Sequence, residues 1–226
     1  MQRRALLIDR DGTVCEDVGY LDQPQALHVL PGAAEALVAA ERAGFQIVLV
    51  TNQAGVGHGR FDELTLDSIH DRLRELLGER GARVDGIYYC PHHPEALLAR
   101  YRLDCACRKP KPGMLLRARD EMGIDLASSY LVGDHPRDIA AGAAAGVTSV
   151  LVLTGHGRRM WLETPRPPDV RPDHVADDLA AAVQWILERE CASATAGGRW
   201  RWPPRRSRSA GRDRPGRAAG RTATGS

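Results

Sequence analysis

The sequence contains no run of about 18 consecutive apolar residues, which is the length that a membrane-spanning helix requires. It also lacks a long apolar segment before a small-residue cleavage site, so we expect no secretory signal and a cytoplasmic location. Cysteine is scarce: the chain has five cysteines, and three of them lie between residues 90 and 107. An odd, clustered set in a protein that is not exported favours metal binding or free thiols over a disulfide framework.

Charge is divided unevenly along the chain. The 226 residues carry a net charge of +2, and 27% of them are charged and 43% hydrophobic, as is typical of one folded domain with an extension. We predict a globular domain over residues 1–191 and a disordered basic tail over residues 192–226, because Gly, Ser, Pro and Arg bury too little surface to offset the entropy of ordering. Arginines near Trp200 and Trp202 could contact nucleic acid, but we favour a solvated extension and expect no such partner.

Strands alternate with helices along the predicted domain. Short β-rich or apolar segments predict the strands, and amphipathic or Ala-rich segments predict the helices. The predicted strands are 5–8, 45–51, 87–89, 130–132 and 149–153, and the predicted helices are 32–42, 62–78, 113–122, 136–145 and 176–190. This alternation indicates an α/β fold with an open, doubly wound parallel sheet and a site at the carboxyl ends of its strands.

Four polar segments lie after or between these strands. They are Asp9-Arg10-Asp11-Gly12-Thr13, Thr51-Asn52-Gln53, Arg108-Lys109-Pro110 and Gly133 to Asp138. Two carboxylates after a strand suit phosphoryl transfer, since one can be a nucleophile, the other can move protons, and both can approach Mg²⁺. Each segment also has an ordinary interpretation: a turn, a hydroxyl that ends a strand, a basic surface pair, or a helix capped by Asp134.

In this order the four segments resemble the motifs of the haloacid dehalogenase superfamily, over residues 4–190. The resemblance implies that Asp9 attacks phosphorus and that Asp11 protonates the leaving group and then activates water. It also implies a catalytic Mg²⁺ on Asp9, the backbone carbonyl of Asp11, and Asp134. Thr51 and Lys109 would hold the non-bridging phosphate oxygens, where negative charge spreads in the transition state.

The clustered cysteines form a second pattern. Cys90-Pro91-His92 and Cys105-Ala106-Cys107 offer three thiolates and one imidazole, a set that suits tetrahedral Zn²⁺. Because four protein ligands leave no open position, the zinc would be structural. His93 is an alternative to His92, and buried cysteines without a metal are the other interpretation.

Longer segments around these motifs resemble the heptose-bisphosphate phosphatase branch of the superfamily, which shares its zinc loop with histidinol-phosphatases. The segments are Tyr88 to Pro94, Cys105 to Leu115, and Thr51 to Val56 with Gly59-Arg60-Phe61. The resemblance implies a Mg²⁺-dependent phosphatase that removes the 7-phosphate of a heptose 1,7-bisphosphate through an aspartyl-phosphate and feeds nucleotide-activated heptose synthesis. Histidinol phosphate or another small phosphosugar is the alternative substrate. The alternative to an enzyme is a non-catalytic binding module that zinc stabilises.

The same resemblance implies a set of substrate-binding residues. They are Asp17, Val18, Gly19 and Tyr20 in a flap, Thr51, Asn52, Gln53 and Ala54 in a phosphate loop, and Arg108, Lys109 and His135. Family members commonly carry Lys where this chain has His135, and we expect Asp138 to support the site rather than to bind the metal. His28, His58, His70, His156 and His174 fit no ligand spacing and are interpreted as surface or core residues. The segments between motifs are too short for a large cap domain, and we expect a monomer.

Overall fold

A computed structural model describes residues 3–163 and 171–197 of the chain. Its six strands form one parallel sheet in the order β3-β2-β1-β4-β5-β6. The strands are β1 Ala5–Ile8, β2 Gln46–Asn52, β3 Gly86–Cys90, β4 Tyr130–Gly133, β5 Thr148–Val152 and β6 His174–Ala176. The sheet confirms the predicted open, doubly wound α/β fold.

Helices cover both faces of the sheet. They are α1 Ala33–Arg42, α2 Ala54–Gly57, α3 Glu63–Gly78, α4 Gly113–Met122, α5 Pro136–Ala145, α6 Gly157–Leu162 and α7 Leu179–Gly197. None of the helices in these described parts of the chain is long and apolar enough to cross a membrane.

The alternating side chains of β1 divide the core into two layers. Leu6 and Ile8 point to the layer formed with α1, α3 and α7, whereas Ala5 and Leu7 point to the layer formed with α4 and α5. Because both faces of this central strand are buried, it is apolar at every position rather than at alternate positions.

The strand order reverses at β1, which places a crevice at its carboxyl end. The chain runs outward from β1 through β2 to β3, and then crosses back to add β4 on the other side of β1. Ile8 consequently lies between Leu49 and Val132. Ligands of open α/β sheets bind at such a reversal, outside the carboxyl ends of the strands.

Both segments that could hold a cap domain are short. Residues 9–32 contain one turn of 3-10 helix, Pro24–Ala26, and residues 91–112 contain another, Ala99–Tyr101. The crevice therefore stays open to solvent above β1, as the lengths of these segments predict.

Four elements differ from their predictions. The short helices α2 and α6 and the edge strand β6 were not among the predicted helices and strands. All three are too short for a periodic pattern, and β6 is fixed instead by its pairing with β5. Helix α7 continues to Gly197, beyond the predicted start of the tail at residue 192. The rest of the predicted basic tail lies outside the described residues, so its disorder stays a prediction, as do the absence of nucleic-acid binding and the monomeric state.

Candidate active site

Asp9 follows β1 directly and lies at the bottom of the crevice. Its backbone N–H continues the sheet by donating to Val132 O at 2.9 Å. The carboxylate is buried, accepts a hydrogen bond from Arg10 N at 2.8 Å, and lies 3.0 Å from Lys109 Nζ. Burial raises the pKa of Asp9, but the nearby positive charges of Lys109 and Arg137 outweigh burial and hold that pKa below its ordinary value. Asp9 is thus kept ionised, which is the state a nucleophile needs.

The Lys109 ammonium group has a partner for each of its three hydrogens. Besides Asp9, it donates to Val50 O at 2.7 Å and pairs with Asp138 Oδ1 at 2.6 Å. Although burial opposes the charge, Asp138 and Asp9 raise the pKa of Lys109 above its ordinary value. A phosphate oxygen must therefore replace one of these partners before Lys109 can hold it.

Asn52 fixes the backbone of Lys109. The Asn52 side chain donates to Lys109 O and accepts from Lys109 N, both at 3.0 Å. Asn52 also lines the cavity described below, so this predicted substrate residue has a second role in locking the basic loop onto the end of β2.

Asp134 follows β4 and faces Asp9. Its Oδ2 accepts a hydrogen bond from His156 N at 2.7 Å, whereas its buried Oδ1 has no partner among the described residues. Burial, and then repulsion from Asp9 and Asp138, raise the pKa of Asp134 to about 8. An ionised Asp134 consequently needs a further cation beside it.

The space around Asp134 fits a divalent metal ion. Oxygen atoms of Asp9, Asp134 and Asp138 all lie within 4.8 Å of one another. A Cβ on Gly12 would lie only 2.3 Å from Asp134 Oδ2, and the φ of +75° at Gly12 also favours glycine. Crowded carboxylate oxygens, one of them without a partner, are the ligands that Mg²⁺ prefers.

Asp138 supports this group from α5. Its two oxygens pair with Lys109 and accept the His135 backbone N–H at 3.0 Å. His135 in turn caps α5, because its Nδ1 accepts the Arg137 N–H at 3.2 Å. Burial and the Arg137 charge lower the pKa of His135 to about 4, so its ring is neutral near neutral pH. His135 is not among the residues that line the cavity, and its ring caps α5, so its predicted contact with substrate stays a prediction.

Asp11 lies higher in the crevice than Asp9. Arg10, itself almost fully buried, donates to both oxygens of Asp11 at 2.9 and 3.0 Å. Gln53 Nε2 also donates to Asp11, at 2.8 Å, and to Thr51 Oγ1, at 2.9 Å. Because Thr51 Oγ1 accepts that bond, its own hydrogen remains available for a phosphate oxygen.

An open cavity of about 390 Å³ lies above these groups. The predicted residues that line it are Asp11, Asp17, Gly19, Tyr20, Asn52, Gln53, Ala54 and Arg108. Thr51 and Lys109 are buried beneath it, and Val18, half exposed, does not line it. The residues that line it without having been predicted as substrate ligands are Gly55, His58, His93, Arg137 and His156.

His58 and His156, which the sequence analysis interpreted as surface or core residues, both line the cavity. His156 follows β5, so its position at the carboxyl edge of the sheet was the signal that could have found it. Its Nε2 lies 2.9 Å from Asp17 Oδ2 and so ties the flap to the end of β5. His58 follows α2 and stands with its ring centre 5.0 Å from that of His93.

The predicted zinc ligands converge in one cluster. Cys107 Sγ lies 3.2 Å from Cys90 Sγ, 3.1 Å from Cys105 Sγ and 3.4 Å from His92 Nδ1. These sulfur atoms are too far apart for a disulfide, whose S–S bond is about 2.0 Å, and the cysteines are free. His93 lies outside the cluster, on the cavity wall. The four ligand atoms lie within 4.8 Å of one another, an arrangement compatible with a tetrahedral ion.

Arg108 connects this cluster to the cavity. It follows Cys107 directly, and its guanidinium donates to His92 O at 3.1 Å while lining the cavity. A closed metal site would therefore fix the backbone that holds both Arg108 and the adjacent Lys109.

Comparisons with known proteins agree with this geometry. A family model described as HAD-hydrolase-like matches residues 106–182. The chain is 44% identical over 189 residues to D-glycero-beta-D-manno-heptose-1,7-bisphosphate 7-phosphatase of Escherichia coli (strain K12), covering 82% of this chain and 95% of that protein. It is also 44% identical over 152 residues to the protein of the same name from Salmonella typhi, covering 67% of this chain and 81% of that one.

Two solved structures share the fold over nearly their whole length. D,D-heptose 1,7-bisphosphate phosphatase from B. bronchiseptica, complexed with magnesium and phosphate, matches with a TM-score of 0.72 at 37% identity and covers 82% of this chain and 99% of that chain. The enzyme of the same name from Burkholderia thailandensis matches with a TM-score of 0.60 at 30% identity and the same coverage. The similarity thus includes both the sheet and the loops that carry the site.

Proposed function

The chain belongs to the family of D-glycero-beta-D-manno-heptose-1,7-bisphosphate 7-phosphatases among the HAD-like hydrolases, and from this premise we propose that it hydrolyses the 7-phosphate of D-glycero-D-manno-heptose 1,7-bisphosphate. The observation that carries the proposal is the group at the end of β1 and β4. There an ionised Asp9 faces Asp134 across a space suited to a cation, with Lys109 buried beside both.

Asp9 is the nucleophile in this proposal. Its carboxylate oxygen forms a bond to the phosphorus of the 7-phosphate while the bond from phosphorus to the sugar oxygen breaks, which leaves an aspartyl-phosphate. Asp11 gives its proton to the departing sugar oxygen and then takes a proton from the water that hydrolyses the aspartyl-phosphate. Arg10 and Gln53 donate hydrogen bonds to Asp11 and so hold its carboxyl group at the cavity wall.

Three groups hold the phosphate. The Thr51 hydroxyl and the Lys109 ammonium donate to its non-bridging oxygens, and Lys109 exchanges its contact with Asp9 for a contact with phosphate as the substrate enters. Mg²⁺ bound by Asp9, the backbone carbonyl of Asp11, and Asp134 would offset the negative charge that otherwise keeps a carboxylate away from a phosphate.

Zn²⁺ on Cys90, His92, Cys105 and Cys107 would be structural, because those ligands leave no open position.

The sugar occupies the open cavity. The flap residues Asp17, Gly19 and Tyr20 form one wall, and Asn52 and Arg108 form part of the others. Because residues 9–32 and 91–112 form short loops rather than a cap domain, these loops contact the sugar and select the substrate.

Purified protein with Mg²⁺, assayed on both anomers of the heptose bisphosphate, histidinol phosphate and p-nitrophenyl phosphate, tests the proposal. We expect the highest kcat/KM on a heptose bisphosphate, with phosphate released from position 7. A higher value on histidinol phosphate would favour that relative's activity instead, and equal values on all substrates would refute the specificity.

The variant D9N tests the assignment of the nucleophile. We expect hydrolysis to be lost and the bound zinc, measured by atomic absorption, to be unchanged, because Asp9 is not part of the cysteine cluster. Turnover retained by D9N would contradict the aspartyl-phosphate route and would leave the binding-module interpretation in place.

A further inference from the structure

Arg137 stands on the cavity wall in the first turn of α5, three residues after Asp134. Its backbone is fixed, since its N–H donates to the capping ring of His135. The neighbouring Asp138 points away from it toward Lys109. Arg137 is therefore placed by the same turn that places Asp134 and Asp138, but its side chain faces the substrate space.

The Arg137 guanidinium makes no direct contact with a carboxylate. Its Nε is buried and has no hydrogen-bond acceptor within residues 3–163 and 171–197, and none of the carboxylates in those ranges forms an ion pair with it. Its charge lowers the pKa of Asp9, but from beyond ion-pair distance. Buried N–H groups are almost always satisfied, and an arginine offers five of them in a rigid fork that matches phosphate. An unsatisfied Nε on a cavity wall is thus a feature that points to an anionic ligand.

A second guanidinium faces the same space. Arg108 also lines the cavity and is held by His92 O. After burial, the charge of Arg137 is among the causes that lower the pKa of Arg108, so the two cations are near enough to repel each other. Among the lining residues they are the only Lys or Arg side chains. Two adjacent cations in a cavity are stabilised by an anion placed between them.

The substrate of the proposed reaction carries two phosphates, and the buried groups account for one. Thr51, Lys109 and the cation space at Asp9 and Asp134 face the phosphate that is transferred. The phosphate that stays on the sugar needs other cations, and the His135 ring caps α5 instead of lining the cavity.

We propose that Arg137 binds, together with Arg108, the phosphate that remains on the sugar, and so selects a bisphosphate over a monophosphate. This proposal rests on the proposed function. Arg137 then supplies a permanent positive charge from the wall of the cavity.

The test compares R137Q and R137K with the wild type on two substrates, heptose 1,7-bisphosphate and heptose 7-phosphate. For R137Q we expect KM on the bisphosphate to rise about 10- to 100-fold, the usual effect of losing a charged hydrogen bond, with a change in KM below about 3-fold on the monophosphate. Because Arg137 also helps to keep Asp9 ionised, kcat should fall by the same factor on both substrates. R137K should recover part of the loss, because it keeps the charge without the fork. As a matched control, R119Q removes an exposed arginine of α4 and should leave both KM values unchanged.

An equal rise of KM on both substrates, or no rise, would overturn the proposal. Zinc content should be the same in R137Q and the wild type, since Arg137 is not part of the cysteine cluster. Calorimetric binding of heptose 1-phosphate separates this proposal from the proposed function. If the wild type fails to hydrolyse the bisphosphate, the proposed function is wrong. Weaker binding of heptose 1-phosphate to R137Q would even then support the role of Arg137, and unchanged binding would overturn that role.

Discussion

Replacing Asp134 by Asn should stabilise the metal-free protein while abolishing catalysis. In the folded chain the Asp134 carboxyl is buried beside Asp9 and Asp138, which raises its pKa from 3.8 to about 8. In the unfolded chain the same carboxyl is exposed and ionises normally. Ionisation of Asp134 therefore favours the unfolded chain and lowers the stability of the fold. The amide of D134N is neutral and of nearly the same size as the carboxyl group, so it removes this destabilisation.

The magnitude follows from the two pKa values. Below pH 3.8 the carboxyl is protonated in both states and carries no penalty. The wild type then loses stability as the pH rises, until the pH passes the folded pKa of about 8. Each pH unit above the unfolded pKa costs about 1.4 kcal/mol, so at about pH 7 the loss of folding free energy from Asp134 is at most about 4 kcal/mol. This value is an upper limit because the neighbouring carboxyl groups share the proton with Asp134.

The assay is urea unfolding in Mg²⁺-free buffer at several pH values between about 4 and 8. The free energy of unfolding of D134N should exceed that of the wild type by an amount that grows with pH. The control D71N, at an exposed carboxylate of α3, should stay within about 0.5 kcal/mol of the wild type throughout. Saturating Mg²⁺ should stabilise the wild type but not D134N, by about 2.7 kcal/mol at 100 times the dissociation constant. A difference between D134N and the wild type that does not vary with pH would refute the reasoning.

Two further substitutions test the geometry of the metal groups. G12A should lower activity at least about 100-fold and weaken Mg²⁺ binding measured by calorimetry, because its Cβ would lie 2.3 Å from Asp134 Oδ2. The control is G146A, since Gly146 has a similar φ of +71° with open space around it. An equal loss of activity in both variants would show that backbone strain rather than collision is responsible. C107S should lower the zinc content and the midpoint of thermal unfolding, since Cys107 contacts every other member of the cluster. The control C191S, at an exposed cysteine, should leave the zinc content unchanged. A full zinc content in C107S would contradict the proposed ligand set.

Local patterns predicted those elements whose physics is local. The helix predicted over residues 62–78 begins at Asp62, whose side chain accepts the Thr65 N–H at 2.8 Å and caps α3. The five-residue strand β5 was found within one residue from its apolar run, but the three-residue strand β6 was missed. The difference arises because β6 owes its conformation to hydrogen bonds with β5 rather than to its own sequence.

The order of the polar segments determined which residues meet. Asp9, Thr51 and Asp134 each stand at the end of a parallel strand, and parallel strands bring their carboxyl ends to one edge of the sheet. The sequence alone also indicated the fold class, the open crevice and the Cys/His group. It could do so because these features depend on the period of the apolar residues, on the spacing of the motifs and on the length of the segments between them.

Only the tertiary structure decided how the charges are shared. Lys109 pairs with both Asp9 and Asp138, which lie 100 and 29 positions away in sequence, and no local pattern encodes such a pairing. His135 became a helix cap and Arg137 took the place on the cavity wall, because the first turn of α5 turns one side chain away from the cavity and the other toward it. Residue type and order thus fixed the chemistry available at this site, whereas the direction and burial of each side chain, set by packing from distant segments, decided which group does which task.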